Sequence, residues 1–363
     1  MKAKEIWLKA IKMEPLERIP FWPKLWSEYP GMQRQPFSSM SLRELHTWIG
    51  SDYHQMPDVH TGVKPAHATC AVRTNRNGRS WDTYYKTPSG EVLYKQEFDE
   101  GSRSWHPVKH PVQNLEDIQI LTEYFNDLTW ILDDAELEKA EAMTESIGED
   151  GLVSVCCGTS PLMEWVEYFA GVENAHLLLM DYPEEVELLF SVLQERLVEK
   201  TRLICRNHPA DILYYNENTS TSLISPTQYS QYCFPHLTEC SDLIRKNGRL
   251  VFLHMCGHLK RLLPTLAKLD VDAFEAFSTA PLTDQSLLDG RTHCPNRCLI
   301  GGTNAVLWTR PTEEITEGIK QELDALPHHK GIVITSGGAM PPQVEPEKIK
   351  EVCEWLKEYP ARM

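Results

Sequence analysis

The chain has 363 residues, of which 41% are apolar, enough for a sizeable core in one large barrel or two ordinary domains. Its 36 basic and 52 acidic residues give a formal charge of −16, which argues against nucleic acid or an anionic membrane as a partner. The charged N-terminus does not resemble a signal peptide, and no run approaches the roughly 18 apolar residues of a membrane span, so we expect a cytoplasmic protein.

The first third of the chain combines one helix with an irregular, aromatic-rich stretch. Amphipathic spacing predicts a helix over 4–13, ending ahead of Pro15 because the residue before a proline disfavours helical geometry. From about 52 to 111, two alternating runs flank Pro88-Ser89-Gly90, which indicates a hairpin. We predict an antiparallel excursion near the mouth of the fold, within the same domain.

Beyond Pro111, short β-branched runs alternate with long amphipathic helices, a pattern that indicates βαβ units and a parallel sheet. The predicted strands are 151–156, 211–215, 249–254, 271–276, 298–302 and 331–336, and the predicted helices are 184–206, 226–247, 258–268, 312–326 and 346–358. One more strand near Ile19 and another in the N-terminal half bring the total to about eight. The sequence therefore predicts one domain over 1–363, a (β/α)8 TIM barrel. A doubly wound sheet is the alternative, but no strand is followed by the glycine-rich turn of a dinucleotide site.

Residues with soft or ionisable side chains gather where the predicted strands end, which is where such barrels place their active sites. His254 and Cys256 are two residues apart, so their side chains would point to the same side, and imidazole with thiolate favours zinc. The spacing alone also fits a buried cysteine beside a core histidine. Glu275 lies in an apolar strand and would be costly to bury without a partner. Cys156 and Cys157 must point to opposite faces, so at most one faces the site.

Amides and a second carboxylate follow other strand ends. Asn216, Glu217 and Asn218 come directly after an apolar run, where they either form part of the site or cap the next helix. Asn304 follows a later strand, and Trp22 belongs to an N-terminal aromatic cluster. We predict substrate contacts from the three asparagines and Trp22, with ordinary packing as the alternative for the tryptophan.

Several segments occur together in an order that is similar to a known family. They are Glu14-Pro-Leu-Glu-Arg-Ile-Pro-Phe-Trp-Pro, Ser160-Pro-Leu-Met-Glu-Trp, Asn216-Glu-Asn, Leu253-His-Met-Cys-Gly-His-Leu and Asp272-Ala-Phe-Glu-Ala-Phe-Ser. This ordered set resembles the uroporphyrinogen decarboxylase superfamily, and in particular its cobalamin-dependent methyltransferase branch. The arginine-rich substrate segment of true decarboxylases is missing, so the resemblance implies methyl transfer.

The resemblance also implies a zinc site held by His254, Cys256 and a cysteine in a later segment. Gly338 stands where that cysteine is expected. Because zinc needs a third protein ligand, we predict Glu217 in that role, with Glu275 as the alternative and Cys157 behind them. A zinc ion with fewer thiolates is more electrophilic, which favours polarising an ether oxygen over activating a thiol.

The resulting hypothesis is a zinc-dependent transfer of a methyl group from a small methylated substrate, such as a methoxy-aromatic compound, to the cobalt of cobalamin on a separate corrinoid protein. His254, Glu217 and Glu275 form the predicted catalytic group. Two alternatives stay open. One is a metal-independent decarboxylase or lyase with His254 as general acid, and the other is a non-catalytic accessory protein of a corrinoid pathway.

Overall fold

The computed structural model describes residues 1–56, 58–100 and 104–363. Its N-terminal part consists of helix α1 (Ala3–Ile11), strand β1 (Phe21–Trp22), helix α2 (Leu42–Ile49) and strand β2 (His54–Gln55). Helix α1 agrees with the prediction over 4–13. It buries Ile6, Trp7, Ala10 and Ile11, which are spaced to share one helical face.

An antiparallel excursion follows the second strand. It consists of β3 (Val63–His67), β4 (Ala71–Asn77), β5 (Ser80–Thr87), β6 (Gly90–Asp99), β7 (Ser104–Lys109), α3 (Leu115–Asp127) and β8 (Leu128–Leu132). Strands β4 to β7 form one sheet, and β3 pairs with β8 in another. The β5–β6 turn is the hairpin predicted around Pro88-Ser89-Gly90. The excursion was predicted to span 52–111, and both of these limits differ from the structure. Strand β2 lies inside the predicted range but belongs to the barrel, and strand β8 lies after it but belongs to the excursion.

The rest of the chain alternates strands and helices. These are α4 (Asp134–Ile147), β9 (Leu152–Gly158), α5 (Pro161–Glu164), α6 (Val172–Asp181), α7 (Pro183–Asn207), β10 (Ile212–Asn216), α8 (Pro226–Gln228), α9 (Phe234–Lys246), β11 (Leu250–His254), α10 (Leu263–Leu266), β12 (Ala273–Phe277), α11 (Leu287–His293), β13 (Cys298–Gly301), α12 (Ala305–Trp308), α13 (Thr312–Asp324), β14 (Ile332–Thr335) and α14 (Pro346–Glu358). Eight parallel strands pair in the order β1-β14-β13-β12-β11-β10-β9-β2. The predicted (β/α)8 TIM barrel is confirmed.

Two predicted helices differ from the observed ones. The helix expected over 258–268 shortens to α10, which begins at Leu263 because Pro264 has no N–H to donate and is favoured at the first helical turn. The helix expected over 226–247 contains a π-helical segment between α8 and α9. A second π-helical segment, Trp165–Phe169, follows α5.

The alternation of side chains along the strands divides the core into an inner and an outer part. Leu152 and Phe252 pack in a cluster inside the barrel, whereas their neighbours Val153 and Leu253 pack in the larger cluster beneath the helices. Cys156 packs against the inner cluster and Cys157 belongs to the outer one, so the prediction that they face opposite sides is confirmed. The same period turns the side chains at the ends of β10, β11 and β12 toward the barrel axis.

A buried ion pair ties β1 to the segment that enters β2. The Asp52 carboxylate accepts two hydrogen bonds from the Arg18 guanidinium, at 2.7 and 2.6 Å, and one from the backbone N–H of Phe21 at 2.9 Å. This two-pronged contact links the two strands at the open seam of the sheet.

Within the described residues, we find no helix that is both long and apolar enough to cross a membrane.

Candidate active site

A lysine, a glutamate and a histidine meet at the carboxyl ends of three barrel strands. Lys24, just after β1, donates a 2.7 Å hydrogen bond to Glu275 Oε1, and its Nζ lies 3.3 Å from His254 Nδ1. The other oxygen of Glu275 contacts His254 Nδ1 directly. The side chains of Lys24 and Glu275 are only 3% and 0% exposed. A buried carboxylate between two partners is the compensated arrangement that the apolar surroundings of Glu275 require.

The protonation of this group follows from its charges. Burial alone would raise the pKa of Glu275, but the charge of Lys24 and the contact with His254 outweigh burial and lower the pKa to about 2. Burial and the nearby charge of Lys24 lower the pKa of His254. An ionised Glu275 can only accept, so the proton of the neutral imidazole belongs on Nδ1. This leaves the lone pair of His254 on Nε2, ready to bind a metal or a proton.

The backbone next to these residues is irregular in a way that sets their direction. Ala276 has a φ of 57°, a left-handed value that is uncommon for a non-glycine residue, and the pairing of β12 with β13 shifts register at this point. Bulges of this kind re-aim side chains near active sites. Asn218, with a φ of 45°, adopts the same region after β10. Both departures flank residues of the site.

A second polar chain runs from Cys256 to a helix outside the barrel. The Cys256 thiol lies 3.5 Å from Asn218 Oδ1, and Asn218 Nδ2 donates to Glu167 Oε2 at 3.0 Å. Glu167 lies on the π-helical segment after α5, and its Oε1 is buried without a hydrogen-bond partner among the described residues. Burial raises the pKa of Glu167 to about 7, with Asn218 opposing the shift. Glu167 therefore carries an exchangeable proton near neutral pH.

Glu217 faces away from this centre. Its carboxylate accepts hydrogen bonds from the backbone N–H and the hydroxyl of Ser160, at 2.7 and 2.6 Å, and the side chain is fully buried. Burial raises the pKa of Glu217 to about 7, although the bonds from Ser160 oppose this. The structure thus places Glu217 on the outer side of the barrel wall, where it fixes the loop after β9.

The predicted substrate contacts are divided between the site and the scaffold. Asn216 lies opposite His254 in the β10–β11 register, so it belongs to the site together with Asn218. Asn304 instead caps α12 by accepting from the N–H of Leu307, and its amide donates to a backbone carbonyl. Trp22 is 1% exposed and packs in the inner core, with its ring centroid 5.7 Å from Lys24 Nζ.

A cavity of about 540 Å³ lies beyond Lys24, and no residue of the Lys24–Glu275–His254 group lines it. Trp26 lines it, and Lys24 Nζ lies 5.8 Å from the centroid of the Trp26 ring. The opposite walls come from Phe98 of the excursion and from Met340, whose N–H donates to the carbonyl of Lys24. Trp26 therefore lines this cavity, whereas Trp22 does not.

The donors present provide part of a zinc shell. His254 is oriented by Glu275 in the way that carboxylates orient metal-bound histidines, and Cys256 is the exposed thiol two residues later. Within residues 1–56, 58–100 and 104–363, however, no three His, Cys, Asp or Glu side chains form a group that could hold a metal ion. The replacement ligand predicted from the sequence, Glu217, is not brought to the pair. The described residues therefore do not complete a zinc shell.

Sequence reasoning missed Lys24 and Glu167. Lys24 follows a strand of only two residues and meets Glu275 across 251 positions of sequence, so no local motif marks it. Glu167 lies in a run whose sequence resembles an ordinary helix, and no local pattern marks the π-helical turn that contains it.

Comparison with known proteins agrees with this architecture. The family model described as uroporphyrinogen decarboxylase (URO-D) matches residues 102–359. No curated protein matches the chain. Among solved structures, a methyltransferase from Methanosarcina mazei superposes with a TM-score of 0.61 at 15% identity, covering 99% of each chain. A candidate vitamin-B12-independent methionine synthase from Listeria monocytogenes superposes less well, with a TM-score of 0.41 at 12% identity. The match covers 94% of this chain and 97% of that one. Since the family model spans well over half of the sequence and includes six of the eight barrel strands, the chain belongs to the uroporphyrinogen decarboxylase family.

Proposed function

We propose that the protein is a methyltransferase that moves a methyl group from a small methylated substrate to the cobalt of a corrinoid on a separate protein. The observation that carries this proposal is the buried Lys24–Glu275–His254 group beside Cys256 at the mouth of the barrel. The methyltransferase from Methanosarcina mazei, which has the same fold, supports it. The cavity lined by Trp26 would admit the substrate, and the corrinoid protein would approach the exposed Cys256 side of the barrel.

The side chains of the centre suit a reaction in which a leaving atom gains charge. When the methyl group leaves an ether oxygen as a cation equivalent and bonds to Co(I), the oxygen keeps the electron pair and needs a proton or a positive charge. Lys24 would supply fixed positive charge, and Glu275 would hold His254 in the tautomer with a free Nε2. Glu167, protonated in part near pH 7, would donate the proton, and Asn218 would orient it.

His254 Nε2 and Cys256 Sγ are the atoms that would hold a zinc ion, and zinc bound there would act as a Lewis acid on the leaving atom. Because the described residues supply no third ligand, the positive charge and the proton in the proposed reaction come from Lys24 and Glu167.

A Gly338→Cys variant tests whether a cysteine at position 338 can act as a third zinc ligand together with His254 and Cys256. An added Cβ at Gly338 meets no heavy atom within 4 Å, so the cysteine fits without displacing a neighbour. If the roughly 10–16 kcal/mol of binding in four-ligand sites is shared evenly, one ligand contributes about 3 kcal/mol, or on the order of 100-fold in affinity. Titration with a chromophoric zinc chelator should show a gain of this size over the wild type. The matched control is Gly338→Ser, which adds the same Cβ at the same open position without a thiolate. If Gly338→Cys binds zinc no more tightly than the wild type, position 338 does not lie where a third ligand could join His254 and Cys256.

The function itself is tested with the full-length protein and free cob(I)alamin under anaerobic conditions. We would supply 2-methoxyphenol, methanol, dimethyl sulfide and trimethylamine in turn and follow methylcobalamin by its absorbance. At least one donor should give enzyme-dependent methylcobalamin with a matching amount of demethylated product. Failure with all four donors, both with free cobalamin and with a corrinoid protein, would refute the proposal.

A metal-independent decarboxylase or lyase on the same barrel is a second candidate. It is favoured by the Lys24–Glu275–His254 group, in which an acid–base histidine has its orienting partners without any further ligand. The two functions separate in a pair of variants. Loss of activity in His254→Ala with full activity in Cys256→Ala, together with release of CO2, would support the second candidate.

A further inference from the structure

A second cavity lies outside the barrel wall, between the excursion and helix α7. Its volume is about 310 Å³. Gly158 and Thr159, at the end of β9, form its floor, and Cys157 contributes from the outer core cluster. None of the residues that line it belongs to the Lys24–Glu275–His254 group or to the Cys256–Asn218–Glu167 chain. It is therefore a separate place for a ligand.

Five aromatic side chains line the cavity. The rings of Tyr85 and Tyr124 meet edge to face with centroids 5.0 Å apart, Tyr124 and Phe125 do so at 5.2 Å, and Phe125 contacts Phe169 at 5.5 Å. Trp130 of β8 lines the same space. Such walls pack well against a flat apolar body.

The charged groups of the cavity are incompletely paired. Lys200 Nζ lies 4.9 Å from the centroid of the Trp130 ring and makes no hydrogen bond or ion pair to any residue that the structure describes. Arg196 is already paired, because it donates a 2.8 Å hydrogen bond to the carbonyl of Leu128 and forms ion pairs with Glu199 at 3.0 Å and Glu195 at 3.4 Å. The Lys200 ammonium is therefore a donor available to an anion.

Glu164 is the carboxyl group of the same cavity, and it makes no side-chain hydrogen bond among the described residues. Burial raises the pKa of Glu164 to about 7, with Lys200 opposing the shift and Glu167 adding to it. Two further carboxyl groups that interact with it electrostatically, Glu167 and Glu217, also have pKa values raised to about 7 by burial. Burial raises the pKa of Tyr124 to about 12 and that of Tyr85 further. Below pH 7 Glu164 is a neutral donor, and above pH 7 it repels an anion.

We infer that this cavity binds a small aromatic carboxylate. Lys200 faces the carboxylate, the aromatic side chains pack against the ring, and protonated Glu164 donates a hydrogen bond to the anion. The volume is at the lower end of the range for ligand pockets, which suits a single substituted ring. This inference goes beyond the proposed methyl transfer and does not depend on it.

The test is a calorimetric titration of the full-length protein with benzoate. Wild-type protein should bind benzoate saturably, and the affinity should rise as the pH falls from 8 to 6, because protonation of Glu164 removes a like charge. Glu164→Gln should bind with the low-pH affinity of the wild type at both pH values. Lys200→Met should lose about 10- to 100-fold, the usual worth of a hydrogen bond to a charged group.

Two controls keep the test specific. Lys139→Met removes an exposed lysine of α4 and should leave benzoate binding unchanged, and Lys200→Arg should retain most of it because the positive charge remains. Circular dichroism checks that each variant is folded. Absence of saturable binding by the wild type, or equal binding by wild type and folded Lys200→Met, overturns the inference. A pH response that survives in Glu164→Gln overturns the role of Glu164.

Discussion

A Lys24→Met variant should lose about 3–5 kcal/mol of unfolding free energy, the usual cost of removing one partner from a buried ion pair. Lys24 is the positively charged partner of Glu275, whose side chain has no exposed surface. Without it, the carboxylate has only a neutral histidine as partner and must either stay charged in an apolar interior or take up a proton. Urea unfolding at pH 7 measures the loss.

Two further variants separate the charge from its packing. In Lys24→Met/Glu275→Gln the uncompensated charge is gone, so the double variant should be more stable than Lys24→Met alone. Lys139→Met breaks an exposed ion pair, in which the side chain of Lys139 is 57% accessible and that of Glu136 is 32% accessible. This variant should lose less than about 1 kcal/mol of unfolding free energy. If Lys24→Met costs no more than this surface control, the buried group does not have the energetic role described above.

The second large effect concerns the rate of methyl transfer. Replacing His254 with alanine removes the imidazole that contacts Glu275, and we expect a rate reduction of about 10²- to 10⁴-fold, the range for acid–base side chains. Glu275→Gln keeps the shape but no longer fixes the imidazole tautomer, so a reduction of about 10- to 100-fold is expected. Initial rates of methylcobalamin formation at saturating donor give both values.

The control for the histidine is His293→Ala, an exposed residue at the end of α11. It should transfer methyl groups at the wild-type rate. A His254→Ala variant that is folded and as active as His293→Ala would remove His254 from the reaction.

Much of the fold could be predicted because its signals are local. Short β-branched runs between amphipathic helices specify a parallel sheet, and the six strands predicted after residue 111 match β9 to β14 within two residues at each end. The helix over 258–268 was predicted too long, although Pro264 marks the start of the observed helix α10 in the sequence itself. The two-residue strands β1 and β2 depend on their neighbours in the barrel.

The site was predictable only where the strand period applies. His254 and Glu275 lie on strands, and alternation is enough to turn both inward. The same alternation turns Asn216 inward and the next residue, Glu217, outward, so the orientation of Glu217 was available from the period even though the motif suggested a ligand. Asn218 lies beyond the strand end in a left-handed conformation, and the period does not predict its direction. The lysine and the glutamate missed from the sequence depend on long-range contacts and on a π-helical turn, which leave no local pattern.

A single-turnover reaction tests the central claim most directly. Wild-type protein and His254→Ala would each be mixed anaerobically with cob(I)alamin and the best of the four donors, and the conversion of Co(I) to methyl-Co(III) would be followed by absorbance. We expect wild-type protein to form methyl-Co(III) in step with donor demethylation, and the variant to form it at least about 100-fold more slowly. Equal rates in the two proteins, or demethylation without any methyl-Co(III), would contradict the account.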